Sequence, residues 1–186
     1  PNATSQDLLA FPEETSEPVG EIPVQIQRTV RRGRYRDGHA APGSAAFDID
    51  AGDHSVIDQY RRALEAARSS IYIEDQAIGS PEIVDRLAAA LKRGVEVVFL
   101  VPKDVSSEMA AGRRKPDSKT FFDSLAALGQ HPNFTLACIA QSLSGGGHQN
   151  IYVHAKIALI DDVWCTIGSA NIGNRSFYGD TELNAS

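Results

Sequence analysis

From Tyr152 to Asn171 the chain reads YVHAKIALIDDVWCTIGSAN. Within those residues His154, Lys156, Asp161, Gly168, Ser169 and Asn171 make the pattern H-x-K-x4-D-x6-G-S-x-N. The residues between them are apolar and read as strands. His154 and Lys156 are two positions apart, so on a strand both point to one face. Val153, Ala155, Ile157 and Leu159 are then expected on the other face, turned toward packing. Asp162-Val163 reads as a tight turn and Val163 to Ile167 as the returning strand. Such a hairpin brings Gly168, Ser169 and Asn171 back beside His154 and Lys156.

These residue types suit phosphoryl chemistry. An imidazole beside an ammonium builds a site for an anion. Lys156 offers a compact positive charge, Ser169 and Asn171 offer neutral donors, and Gly168 lets backbone approach closely. Together they can bind the non-bridging oxygens of a phosphate without a metal. His154 can serve as nucleophile or general acid, since histidine titrates near neutrality. A lone strand histidine is more often incidental to a fold. Six polar or glycine positions in one short window argue for a site.

The pattern resembles the HKD signature of the phospholipase D superfamily, matched at His154, Lys156, Asp161, Gly168, Ser169 and Asn171. The resemblance implies two such motifs meeting across a two-fold or pseudo-two-fold axis. One histidine attacks phosphorus to form a phosphohistidine, and the other protonates the leaving alcohol. This chain carries one copy, with no second H-x-K. The stretch Ile71 to Gln76 (IYIEDQ) resembles IYIENQ, found before the second HKD motif in phosphatidylcholine-type members. Asp75 stands here where Asn is usual, and Ala77-Ile78 where aromatic residues are common. By the same resemblance Glu182, in TELN, is the carboxylate that would orient His154. Asp161 is expected to tie the hairpin together as much as to take part in catalysis. Glu74, Gln76 and His148 are candidates for lining the site. No metal or cofactor is implied.

Composition agrees with a folded domain. The 186 residues are 42% hydrophobic and 23% charged, which is ordinary for a globular protein with a real core. The net charge of -6 gives no global attraction to nucleic acid or anionic membrane. Cys138 and Cys165 make neither a disulfide framework nor a zinc site, and Cys165 is expected as a buried strand thiol. No apolar run reaches the roughly 18 residues of a membrane span. A soluble or peripheral protein, cytoplasmic, is expected.

Residues 1–21 read as a linker or N-terminal extension, rich in proline and acidic residues. Residues 22–186 read as the catalytic domain. The Thr181–Ser186 end resembles a strand just beginning, so both ends suggest a piece of a longer protein. Pro23 to Val30 alternates as a strand. The loop after it, with Arg28, Arg31, Arg32, Arg34 and Arg36, is basic and reads as solvated. Helices are expected over Asp53–Ser69, from Pro81 (capped by Ser80) to Gly94, and over Asp117–Gly129, the last with Phe121, Phe122, Leu125 and Leu128 inward. Strands are expected at Ile71–Asp75, Val95–Val101 and Phe134–Ala140, and Lys103–Lys115 as a loop. The continuous apolar run VEVVFLV suggests a strand covered on both faces. The fold class is therefore α/β, a mixed and largely parallel sheet flanked by helices.

The functional expectation is a phospholipase D-type phosphodiesterase supplying one HKD motif, the C-terminal half of a two-motif enzyme. The alternatives are a single-motif homodimeric nuclease acting on nucleic acid, a cardiolipin synthase-like phosphatidyltransferase, and a non-enzymatic half that keeps the fold without a partner motif. The partners implied are a phospholipid or other phosphodiester, peripheral contact with a membrane, and a second HKD half, from a longer chain or a homodimer mate.

Overall fold

The computed structural model describes residues 16–17, 19–35 and 48–186. Most of the expected linker and Arg36 lie outside the described residues. In chain order the elements are β1 (Ile26–Val30), β2 (Asp53–His54), α1 (Ser55–Ala66), β3 (Ser70–Glu74), α2 (Pro81–Lys92) and β4 (Glu96–Leu100). Then come α3 (Ser107–Arg113), α4 (Lys119–Leu128), β5 (Phe134–Ala137), β6 (Ala140–Ser142) and β7 (His148–Asn150). The motif follows as β8 (Ile157–Ile160), β9 (Trp164–Gly168), α5 (Asn174–Tyr178) and β10 (Glu182–Ala185).

Eight strands form one sheet in the order β2-β1-β10-β9-β8-β3-β4-β5, and β6 and β7 form a separate hairpin. The sheet is α/β and mixed, but it is mostly antiparallel. Among the described residues, only β3 with β4 and β4 with β5 pair as parallel strands of this sheet. Parallel neighbours need a helical crossover, and α2 and the α3–α4 segment supply these two. The expectation of a largely parallel sheet extended that local α-β-α-β rhythm over strands that pair otherwise. β10 is not a strand left dangling. It is central, paired with β1 on one side and β9 on the other.

The helices cover one face. Along β3 burial alternates, with Ile71, Ile73 and Asp75 inward and Tyr72, Glu74 and Gln76 half-buried. The same inward face carries Ala158 and Ile160 of β8 and Val97 and Phe99 of β4. Against it pack Val56, Ile57, Tyr60 and Leu64 of α1 and Ile83, Val84, Leu87 and Leu91 of α2. Tyr60 meets Trp164 edge-on and Phe177 at a tilt, which joins α1 to β9 and α5. Arg61 donates to both carboxylate oxygens of Glu82 at 2.6 and 2.9 Å and locks α1 to α2. That pairing pulls Glu82 down to about 2.

The opposite face is open. Ile26, Ile167 and Leu183 are more than half exposed there (59%, 56% and 56%). Leu159 and Cys165 lie on the same side by register, and Cys165 is exposed rather than buried. Val98 of β4 is half-buried, so this strand is not covered on both faces as its apolar run suggested.

Several boundaries shift. Lys103–Lys115 is not all loop, because Ser106 accepts from the Met109 N–H and caps α3. In α4 only Leu128 is fully buried, while Phe121, Phe122 and Leu125 stand half-buried. His54, at the N-cap of α1, makes no side-chain capping bond, and Asp53 just before it accepts from the Ser55 N–H at 2.9 Å. Ser80 precedes Pro81 but makes no capping bond. Arg31, Arg32 and Arg34 are exposed, as a solvated loop requires.

Candidate active site

The site forms where β8 begins. Residues 151–156 are not a regular strand, and Ile157 is the first residue of β8. His154 and Lys156 therefore do not project side by side from one strand. Lys156 shares the buried face with Ala158 and Ile160, while His154 is exposed. Val153 is buried as expected, but from Lys156 onward the alternation is inverted, with Ile157 and Leu159 facing the open side. The irregular segment is held at one end by Gly168 N–H, which donates to the Lys156 carbonyl at 3.2 Å. That bond brings the glycine-serine loop beside the lysine, as the hairpin reading required.

Lys156 is the best-anchored polar side chain here. Its Nζ donates to the His154 carbonyl at 2.8 Å and to Gln76 Oε1 at 3.4 Å. An ammonium has three donors, so one remains for a ligand. Continuing the β3–β8 register by one step places Lys156 opposite Asp75. Burial pulls the Lys156 ammonium below lysine's ordinary pKa, and the carboxylates of Asp75 and Glu182 act against that. Burial likewise pushes Asp75 up to about 6, against the N–H donors of Ile172 and Ala77 and the Lys156 charge. Asp75 accepts from the Ile172 N–H at 2.8 Å, and the Ile172 carbonyl accepts from the Gly79 N–H at 2.6 Å. The segment carrying Asn171 is thereby fastened to the end of β3. Asp75 is the site residue the sequence reading passed over. The signal was present in the alternation Ile71, Ile73, Asp75, which turns the third residue inward.

His154 stacks on Tyr152, with ring centroids 6.0 Å apart and planes at 28°. Tyr152 in turn accepts from Gln76 Nε2 at 2.6 Å. Gln76 thus bridges Lys156 and the aromatic neighbour of His154. Tyr152 was not anticipated.

Other expectations are redistributed. Glu182 is engaged by Ser169 rather than by His154. Its Oε2 accepts from Ser169 Oγ at 2.5 Å, and no hydrogen bond to the His154 ring occurs among the described residues. Ser169 donates its N–H to the Leu183 carbonyl as well, so both of its donors are engaged within the protein. Asn171 differs: its Oδ1 is buried with no partner among the described residues. It is an acceptor waiting for a donor. Asp161 sits just past the other end of β8, across the strand from His154. It accepts from the N–H groups of Arg68, Ser69 and Ser70 at 2.7 to 2.8 Å, which holds its pKa below the carboxylate norm. Its role in this structure is to tie the hairpin to the start of β3. Glu74 accepts from the Tyr72 hydroxyl at 2.8 Å, on the open side of the sheet. His148 lies in β7, exposed, 3.5 Å from Ser142 Oγ and with no bond to the Lys156 cluster.

This arrangement is that of a phospholipase D-like half-site, with a single imidazole, a buried lysine and a glycine-serine loop. The family model described as "Cardiolipin synthase, PLD-like domain" matches residues 60–186. The chain belongs to that family, within the phospholipase D superfamily. Among curated relatives, cardiolipin synthase 1 of Staphylococcus epidermidis is 29% identical over 150 residues, covering 78% of this chain and 26% of that protein. Cardiolipin synthase 1 of Staphylococcus aureus is 26% identical over 184 residues, covering 96% of this chain and 29% of that one. The chain thus spans little more than a quarter of the length of these relatives. Among solved structures, the phospholipase D family member Nuc from Salmonella typhimurium superposes with a TM-score of 0.53 at 20% identity, over 88% of this chain and 80% of that one. At that identity the likeness is one of fold.

Proposed function

We propose that this chain supplies one half of the active site of a phosphatidyl-transferring or phosphatidyl-hydrolysing enzyme that works through a phosphohistidine. The observation that carries the reading is the buried Lys156 ammonium, held by the His154 carbonyl and Gln76 with one donor left over, beside a single exposed imidazole. A phosphate oxygen fits that third donor. The imidazole nitrogen of one histidine attacks phosphorus, and a P–N bond forms as the bond to the leaving alcohol's oxygen breaks. The second histidine gives its proton to that oxygen. An acceptor hydroxyl, from water or a lipid alcohol, then gives its proton to the second histidine and attacks phosphorus, breaking the P–N bond. Lys156 stabilises the charge gathering on the phosphoryl oxygens. Ser169 and Glu182 position the loop rather than hold phosphate, and Asp161 acts structurally. Asn171 Oδ1 accepts a hydrogen bond from the substrate or from the second half.

Two further observations favour a second half. Only one HKD motif is present, and an apolar sheet face stands open to receive another layer. The matched relatives favour phospholipid over nucleic acid as the substrate, since they are named cardiolipin synthases.

The test combines mass and activity. The chain, alone and mixed with a complementary HKD half, is assayed on bis(p-nitrophenyl) phosphate and on phosphatidylglycerol vesicles. Activity is expected only in an assembly that unites two motifs. His154→Ala should abolish it, and Lys156→Ala should lower it by about 3–4 kcal/mol of transition-state stabilisation, some hundredfold or more. Activity that survives His154→Ala in such an assembly would refute the reading. Cleavage of single-stranded DNA with no turnover of the lipid would favour the nuclease alternative.

A further inference from the structure

Beside the phosphate site lies a cavity of about 390 Å³ that the chemistry above does not use. It opens at the carboxyl ends of β3, β4 and β5, beneath α3 and α4. Its wall is Phe99, Val101, Phe122, Leu125, Phe134 and Leu136. Gln76 and Ala77 form the end nearest the site. Gln76 is the same residue that accepts from Lys156 and donates to Tyr152, so cavity and phosphate site share a wall.

The polar side chains lining this cavity are few: Gln76, Ser106 and Arg113. Gln76 is engaged at both ends of its amide. Ser106 Oγ accepts the capping bond from Met109. The Arg113 guanidinium lies over the Phe122 ring, 5.5 Å from its centroid. A nucleobase would need donors and acceptors here, and few are free. An aliphatic chain needs none, and its transfer from water is favoured by contact with aliphatic and aromatic walls. Extending the Proposed function, and resting on it, we propose that this cavity is a subsite for one acyl chain of the phospholipid, entered from the Gln76 side. The lipid phosphate would sit on Lys156 with its chain directed under α3. Val105, 57% exposed just before that helix, and Leu136, 63% exposed on β5, would close over the chain.

The test measures binding of butyl, octyl and dodecyl phosphate to the full chain, below their micelle-forming concentrations, by displacement of a fluorescent fatty acid such as cis-parinarate. Affinity is expected to rise about three- to four-fold per added methylene until the cavity fills. Leu136→Trp, which fills it, and Val105→Asp, which charges its rim, should each flatten that rise while the melting temperature holds. Both positions are exposed, and should one variant unfold the other carries the test. Affinity independent of chain length, or a rise that both variants leave intact, overturns the subsite. So does tighter binding of adenosine monophosphate than of dodecyl phosphate. Binding needs no turnover, so the subsite and the catalytic reading fail separately. A steep rise with chain length, together with phosphodiesterase activity indifferent to His154→Ala, keeps the first and removes the second. His154-dependent activity with no chain-length effect does the reverse.

Discussion

Lys156 keeps a charge that burial works against, and Asp75 is the group that lets it. Burial alone would drive both toward their neutral forms, and each opposes that in the other. The consequence for stability can be signed. Asp75 has its folded pKa raised from 3.8 to about 6. Its contribution is therefore fully present below about pH 4 and is lost as pH rises through about 6. A shift of that size corresponds to about 2 to 3 kcal/mol. Asp75→Asn should remove this slope, so urea denaturation from pH 4 to 7 should show the variant gaining on the parent as pH rises. The same substitution takes away the first carboxylate supporting Lys156, whose pKa should fall further. Activity of the assembled enzyme should then decline at a lower alkaline pH than in the parent. Parallel stability curves would show that burial leaves the Asp75 carboxyl unshifted, and an unmoved alkaline limb that its carboxylate does not support Lys156.

The hairpin of β8 and β9 is the element that makes the site, and two of its residues are fixed by backbone geometry. Asp161 and Asp162 have φ of 52° and 54°, and the Val163 N–H closes the turn on the Ile160 carbonyl. These are the positive values a two-residue hairpin turn requires at both central positions. The turn therefore sits one residue earlier than Asp162-Val163. Aspartate tolerates this conformation better than most residues, though it advertises it less clearly than Asn-Gly. Gly168 is constrained from outside the hairpin. A Cβ there would lie 2.2 Å from Asn184 Oδ1 and 2.4 Å from the Leu183 carbonyl oxygen. The close approach it permits is to β10, not to a phosphate. Gly168→Ala should cost about 3 kcal/mol or more, because backbone must move. Gly145→Ala is the control, since nothing lies within 4 Å of its added carbon. Equal melting temperatures for the two variants would show that β9 and β10 can separate without loss.

At the scale of the molecule the dominant feature is a sheet dressed on one side. A mostly antiparallel sheet can leave one face to water, but that face is then usually polar. Here Ile26, Leu159, Ile167 and Leu183 occupy it. Among the described residues no helix is long and apolar enough to cross a membrane. An apolar face of this kind and the lone motif both fit the second half proposed above. Ile167→Glu combined with Leu183→Glu should weaken association with a second copy or with the complementary half at least about tenfold, as two buried aliphatic side chains imply. Sedimentation velocity measures this, and circular dichroism checks that the fold survives. Association unchanged in the double variant would place the partner elsewhere.

Sequence by itself determined the motif, the superfamily it belongs to and the α/β class of the fold. His154, Lys156, the glycine-serine loop and the helical periodicities of α1 and α2 are local patterns, legible because each is written within a few turns or one hairpin. Only the tertiary structure decided the sheet's direction, because pairing is made between distant segments: β10 enters between β1 and β9, and nothing in TELN announces its neighbours. Only the tertiary structure turned Lys156 inward and His154 out, because the chain leaves regular strand geometry before Ile157. It also gave Glu182 to Ser169 rather than to His154, and set Asp75 opposite Lys156. Those are decisions of register and burial, and one residue of register is enough to exchange every side chain between the two faces of a strand.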